Sequence, residues 1–203
     1  MQHPVTPGPA LNALTRSLSD PAFLASLCHD LRGPLGAIGT WIHVLGSERA
    51  DAATRQQALA AMRRDVAAQG SMIEQLADLA SLFGGTLVLA VAEVDLASLV
   101  EQVGAGLQVE GPPPRVLADP KRLSQLLEIL LPTPTDTPDA APPVLTAKAD
   151  APGVCVLRGL TRKGGPALVG LTLARVLAEV QGGDLAISEI LEGTVFVLRL
   201  RAA

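Results

Sequence analysis

Residues 20–46 read DPAFLASLCHDLRGPLGAIGTWIHVLG, and the spacing of their apolar side chains decides the fold. Asp20 can cap free helix amides, and Pro21 suits a first-turn position where its missing N–H costs nothing. Phe23, Leu27, Leu31, Leu35, Ile38, Ile42 and Leu45 then recur at steps of three and four, which places them on one stripe of an α-helix that Gly46 stops. After a short polar loop, Asp51 can cap a second helix. Its positions Leu59, Met62, Val66, Ile73, Leu76, Ala80 and Phe83 keep a heptad rhythm, broken at Gln69 and ended by Gly84-Gly85. Two amphipathic helices joined by so short a loop must lie antiparallel, yet one hairpin leaves half of each stripe in water. A second copy closing a homodimeric four-helix bundle covers it with a self-complementary patch. The other way to cover it is with residues 86–203 of the same chain.

The chain has 203 residues, 48% of them hydrophobic, enough to bury a core and to form two small domains. A formal net charge of -4 supplies no basic field for a phosphate backbone, and 2% aromatic content with no Tyr supplies no stacking surface, so nucleic acid is not expected as a partner. The two cysteines, Cys28 and Cys155, have neither zinc-site spacing nor a disulfide framework, which fits a reducing, cytoplasmic setting. Met1 to Ala10 lacks the charged start and apolar run of a secretory signal, and residues 1–18 read as a disordered leader. The longest uncharged stretch near Leu79 to Ala92 is interrupted by Gly84-Gly85 and falls short of the ~20 apolar residues that cross a bilayer, so no membrane association is expected.

From Thr86 onward the texture changes to short β-rich runs between helices, which predicts a separate α/β domain over residues 86–203 after a hairpin domain over 19–85. Asp95 caps a helix from Leu96 to Val103. Val116-Leu117-Ala118 is a short strand, and Asp119-Pro120 starts a helix from Lys121 to Leu131. Pro132 to Pro143 is a proline-rich loop. Val144 to Lys148 and Val154 to Leu157 read as strands, Ala167 to Val180 as a helix ended by Gly182-Gly183, and Leu185 to Ile190 with Thr194 to Leu200 as a closing hairpin. The fold class is therefore α+β.

His29 sits two positions after Leu27 and two before Leu31, so at about 100° per residue it points away from the apolar stripe, toward solvent. Adjacent Asp30 can accept a proton from the imidazole and hold the other ring nitrogen unprotonated and nucleophilic. Arg32 offers a guanidinium to an incoming phosphoryl group. Pro34 lies a turn further on and, lacking an N–H, leaves the Asp30 carbonyl without its helical partner, which loosens or bends the helix beside the histidine. His43 falls near the same face without an acid, base or proline arranged around it and reads as merely exposed. Cys28 reads as a small apolar filler.

The run Phe23 through Leu35, with His29-Asp30-Leu31-Arg32-Gly33-Pro34-Leu35 at its centre, resembles the phosphoacceptor box of dimeric sensor histidine kinases. The resemblance implies that His29 accepts a phosphoryl group and that Asp30 assists it. Val94 to Val103 and Val116 through Leu127 resemble the opening of the ATP-binding lobe of the same kinases. Leu171 to Gly183, Leu185-Ala186-Ile187-Ser188 and Gly193-Thr194-Val195-Phe196 are similar to that lobe's last helix and closing strands. The nucleotide chemistry departs from the pattern. The family holds magnesium through asparagines that here fall on Ile129 and Thr133, neither of which supplies an amide oxygen. The family's adenine-binding aspartate has no counterpart, since residues 151–178 contain no Asp, Glu or Asn. Gly164-Gly165-Pro166 to Gly170 keeps only part of a phosphate loop, with Leu168 at a glycine position, and Arg158, Arg162, Lys163 and Arg175 read as a solvated basic face. Gly33 stands where the family's Thr or Asn positions a hydrolytic water, so a phosphatase role is not implied.

We therefore expect no ATP, magnesium or other cofactor, and a phosphorelay protein in which His29 exchanges a phosphoryl group with the aspartates of response regulator receiver domains. An ATP-dependent histidine autokinase with a reduced lobe and a non-catalytic pseudokinase scaffold are the two alternatives.

Overall fold

The computed structural model describes residues 2–4, 12, 20–47, 50–111, 114–131, 143–151, 153–160, 167–190 and 193–203. Helix α1 (Pro21–Leu45) starts where Asp20 accepts a hydrogen bond from the Ala22 amide at 2.9 Å, and it continues unbroken through Pro34. Helix α2 (Ala52–Phe83) is capped by Asp51, which accepts from the Thr54 amide at 2.8 Å. That bond holds the Asp51 carboxyl below the ordinary carboxylate range, so its capping contribution is present above the usual pKa and fades as pH falls through the folded value. The two helices fold back on each other as a hairpin, closely enough that Ala58 and Ala61 are buried between them.

The following domain contains β2 (Val88–Ala90), β3 (Ala92–Asp95), α3 (Leu96–Gln102), β4 (Gly106–Glu110), β5 (Arg115–Ala118), α4 (Pro120–Leu130), β6 (Val144–Ala151), β7 (Val154–Leu160), α5 (Leu168–Val180), β8 (Asp184–Ile190) and β9 (Gly193–Arg201). Its main sheet runs β4-β6-β7-β9-β8, with β4 and β6 parallel and the other neighbours antiparallel. β3 and β5 pair separately as an antiparallel ribbon. The α+β expectation and the capped helix starts at Asp95 and Asp119 agree with the structure. Strands β2, β3 and β4 were not expected as such. Within the segment expected to be a disordered leader, β1 (Gln2–Pro4) instead runs antiparallel to β2, with Gln2 opposite Ala90. The expected proline-rich loop lies, but for Pro143, outside the described residues.

One hydrophobic core joins the two domains. Leu79 and Leu82 of α2 belong to the same buried cluster as Leu127 and Leu130 of α4, Leu173 and Leu177 of α5, and Phe196 and Leu198 of β9. Phe23, Leu27, Met72 and Leu76 pack against its edge. Inside this core Asp119 is the main polar joint, with its Oδ2 accepting from the Ala90 amide at 2.8 Å and its Oδ1 from the Arg122 amide at 3.2 Å. Its own amide donates to Gln181 Oε1 at 2.9 Å. Asp119 thus ties β2, the first turn of α4 and the end of α5 together. Asp119→Ala removes a helix cap and orphans the Ala90 donor, and we expect it to lower the unfolding free energy in urea titration by about 2–4 kcal/mol.

Candidate functional site

The periodicity that makes α1 amphipathic also aims its polar residues. Leu27 and Leu31 turn inward and are half-buried, whereas the His29 side chain between them is 89% exposed. Asp30, the next residue, is only 23% exposed because it points back along the helix toward the second domain. Its Oδ1 lies 3.7 Å from His29 Nδ1, too long for a hydrogen bond but within one small rotation of the ring. Its Oδ2 accepts from the Leu168 amide at 2.9 Å, the first residue of α5.

Arg32 is exposed and Pro34 half-buried on the turn that follows, so the four expected site residues share one short helical segment. Of these, the structure brings His29 and Asp30 together directly. His43 is exposed in the last turn of α1, as expected. Cys28 is exposed rather than packed, so the expectation of an apolar filler is corrected. It is one residue from the ring and turned outward, because the inward stripe at this level is already supplied by Leu27 and Leu31.

The contact between domains contains residues that sequence reasoning missed. Asp78 on α2 receives Arg122 through Oδ1 at 3.0 Å and Gln125 Nε2 through Oδ2 at 2.6 Å, while Arg122 also donates to Gln125 Oε1 at 2.8 Å. This closed triangle fixes α4 against the hairpin. The available signal was a single carboxylate in the otherwise apolar run Leu76-Ala77-Asp78-Leu79-Ala80. Beside it, α5 approaches so closely that a Cβ on Gly170 would meet Gln75 Oε1 at 3.0 Å and Ile129 Cγ2 at 3.1 Å. Ile129 is itself part of the buried core.

Ile129 and Gly170 thus pack against each other between α4 and α5, and Gln125 is committed to Asp78. Among the described residues no cluster of His, Cys, Asp and Glu is suited to a metal, and no helix is long and apolar enough to cross a membrane. Arg158 and Arg175 are exposed on β7 and α5, while Thr133, Arg162, Lys163 and the run Gly164-Gly165-Pro166 lie outside the described residues.

Residues 22–84 match the family described as His Kinase A (phospho-acceptor) domain, the stretch that carries His29 outward and Asp30 beside it. The hairpin is a phospho-acceptor domain. The fold of the chain as a whole is similar to that of the Acinetobacter baumannii histidine kinase AdeS, at 16% identity and a TM-score of 0.58, over 85% of this chain and 97% of that one. It is also similar to full-length ShkA in complex with AMPPNP, at 21% identity and a TM-score of 0.53, over 90% of this chain and 46% of that one. No curated protein matches the chain. The phospho-acceptor domain, followed by an α/β domain with the fold of a kinase ATP-binding lobe, supports a place in two-component signalling.

The polar triangle between this domain and the lobe is mostly shielded, with Arg122 and Asp78 side chains 15% and 22% exposed. Asp78→Ala leaves a guanidinium and an amide there without their acceptor. We expect it to cost about 1–3 kcal/mol of stability by chemical denaturation.

Proposed function

We propose that this protein is a phosphorelay component in which His29 takes a phosphoryl group from the aspartyl phosphate of one receiver domain and gives it to the aspartate of another. The observation that carries this reading is an almost fully exposed imidazole on a stretch that matches a phospho-acceptor domain. The packing of Ile129 against Gly170 and the Gln125–Asp78 bond, at positions where the resemblance would put nucleotide-binding amides, support a relay without ATP. In the forward step the lone pair on His29 Nε2 attacks phosphorus. The P–O bond to the donor breaks, and the donor leaves as a carboxylate. The proton on Nδ1 faces Asp30, which stabilises the cationic phosphoimidazole as it forms. The return step reverses these movements toward a second aspartate.

The acceptor works in a homodimer. Leu24, Leu35 and Ile42 of α1 and Leu59, Val66 and Ile73 of α2 are exposed in the single chain, and no residue of α1 is fully buried. Such a run of apolar side chains along two antiparallel helices is the surface a second hairpin covers in a four-helix bundle. A cytoplasmic setting accords with Cys28 and Cys155 both being free thiols.

Two incubations test the relay. With labelled ATP we expect no label on the protein, and with phosphorylated receiver domains we expect label on His29 that His29→Ala abolishes. Label from ATP identifies an autokinase instead, and no label from either donor identifies a scaffold. For the dimer, Ile42→Lys combined with Val66→Lys is expected to halve the mass seen in sedimentation equilibrium. An unchanged mass places the interface elsewhere.

A further inference from the structure

Helix α5 begins without a cap of its own. Ala167 stands at its N-cap and offers no side-chain acceptor, whereas α1, α2, α3 and α4 each start on an aspartate that caps its own helix. The acceptor for the first amide of α5 comes instead from Asp30, 138 residues away on the phospho-acceptor helix. The same carboxylate therefore bonds the lobe through Oδ2 while its free Oδ1 lies 3.7 Å from His29 Nδ1.

We propose that the lobe acts at the phosphoryl site as a positioning element, the Leu168 amide anchoring Asp30 so that its free oxygen faces Nδ1 of His29. This deepens the relay reading and rests on His29 being the acceptor. A carboxylate on a helix surface samples several rotamers, and only some of them bring an oxygen to the neighbouring ring. An amide bond to Oδ2 selects the arrangement during folding, so no ordering is left for the moment of reaction. Because the two contacts use different oxygens, they do not compete for the same lone pairs. With Oδ1 in place, the neutral ring keeps its proton on Nδ1, and Nε2 carries the lone pair that attacks phosphorus. The lobe is itself held in register by the Asp78, Arg122 and Gln125 triangle and by the close approach at Gly170, so the anchor is a fixed point rather than a loop contact. A lobe without nucleotide chemistry thereby retains a use at the reacting histidine.

The anchor can be removed as a single N–H. Leu168 is the first residue of α5, a position that accepts proline, and Ala167 before it has φ -54° and ψ 152°, the backbone a residue preceding proline prefers. Leu168→Pro in the full chain therefore deletes the donor while leaving the helix able to form. Leu168→Ala, which shortens the side chain and keeps the amide, is the reference. ¹⁵N spectra of the His29 ring are expected to show a smaller Nδ1–H fraction in the proline variant than in the alanine variant. Phosphorylation of His29 by phosphoramidate, which forms the N–P bond and releases ammonia, is expected to slow by about tenfold between the two.

Equal tautomer populations overturn the proposal. So does a larger Nδ1–H fraction in Leu168→Pro, which means that the amide withholds the carboxylate from the ring. Should the tautomer shift appear while neither variant nor the wild-type chain takes phosphate on His29, the relay reading fails and the anchor stands. A second variant, compared with the wild-type chain, guards against a proline variant that does not fold. Exchange of the Leu168 amide is expected to quicken several-fold in Asp30→Ala while that of Val176, deep in α5, stays the same, and unchanged exchange at Leu168 also overturns the proposal.

Discussion

The lower half of the hairpin cannot be separated from the lobe without opening a core, and the position of every functional side chain follows from that. Leu79 and Leu82 of α2 are buried among side chains of α4 and α5, each contributing on the order of 1.5–3 kcal/mol through burial alone. The Asp78 triangle beside them adds less net energy, because desolvating a guanidinium and a carboxylate offsets much of their attraction. Its effect is directional. Apolar contact would tolerate α4 sliding along α2 by part of a turn, whereas Asp78 can satisfy Arg122 and Gln125 together in one register only. With α4 placed, Ile129 sets the distance at which α5 packs through Gly170, and the first amide of α5 then arrives at Asp30.

The upper half of the hairpin is governed by the opposite condition. There Leu35 and Ile42 of α1, with Leu59 and Val66 of α2, are exposed in the single chain. One continuous heptad pattern thus serves two purposes along its length, closing a core within the chain at one end and offering an apolar surface at the other. His29 stands near the boundary between these regimes. It is close enough to the lobe for its neighbour Asp30 to be engaged and far enough from the apolar stripe for its own ring to stay in water.

Local signals carried most of this architecture. Asp20-Pro21, Asp51, Asp95 and Asp119-Pro120 each placed a helix start within a residue, because a cap and a first-turn proline act on the chain next to them. The outward direction of His29 followed from helical periodicity in the same way. What the sequence hid was non-local. Strand β4 pairs in parallel with β6 across the α4 segment, and neither run announces its neighbour. Strand β2 and the start of β3 lie in an uninterrupted apolar stretch, Leu87 to Ala92, without the glycine or proline that usually marks where one strand stops. The reading of Cys28 as a filler rested on buried cysteine being common, and its place at the margin of the Leu27–Leu31 stripe did not decide between packing and exposure. The second partner of Asp30 was not visible at all, since an N–H of the main chain leaves no trace in residue identity.

A lobe can lose the asparagines and the aspartate of a nucleotide site and keep its shape, because the side chains that touch a ligand are seldom those that fill the core. Here Ile129, at a position where the resemblance would put a metal-holding asparagine, is a packing residue. It is buried beside Gly170, where α4 and α5 approach closely. With α5 packed there, its start lies against the hairpin and its first amide needs an acceptor. Ala167 cannot supply one and Asp30 does. The packing of Ile129 against Gly170 and the bond from the Leu168 amide to Asp30 therefore belong to one arrangement of α5 against α4 and the hairpin.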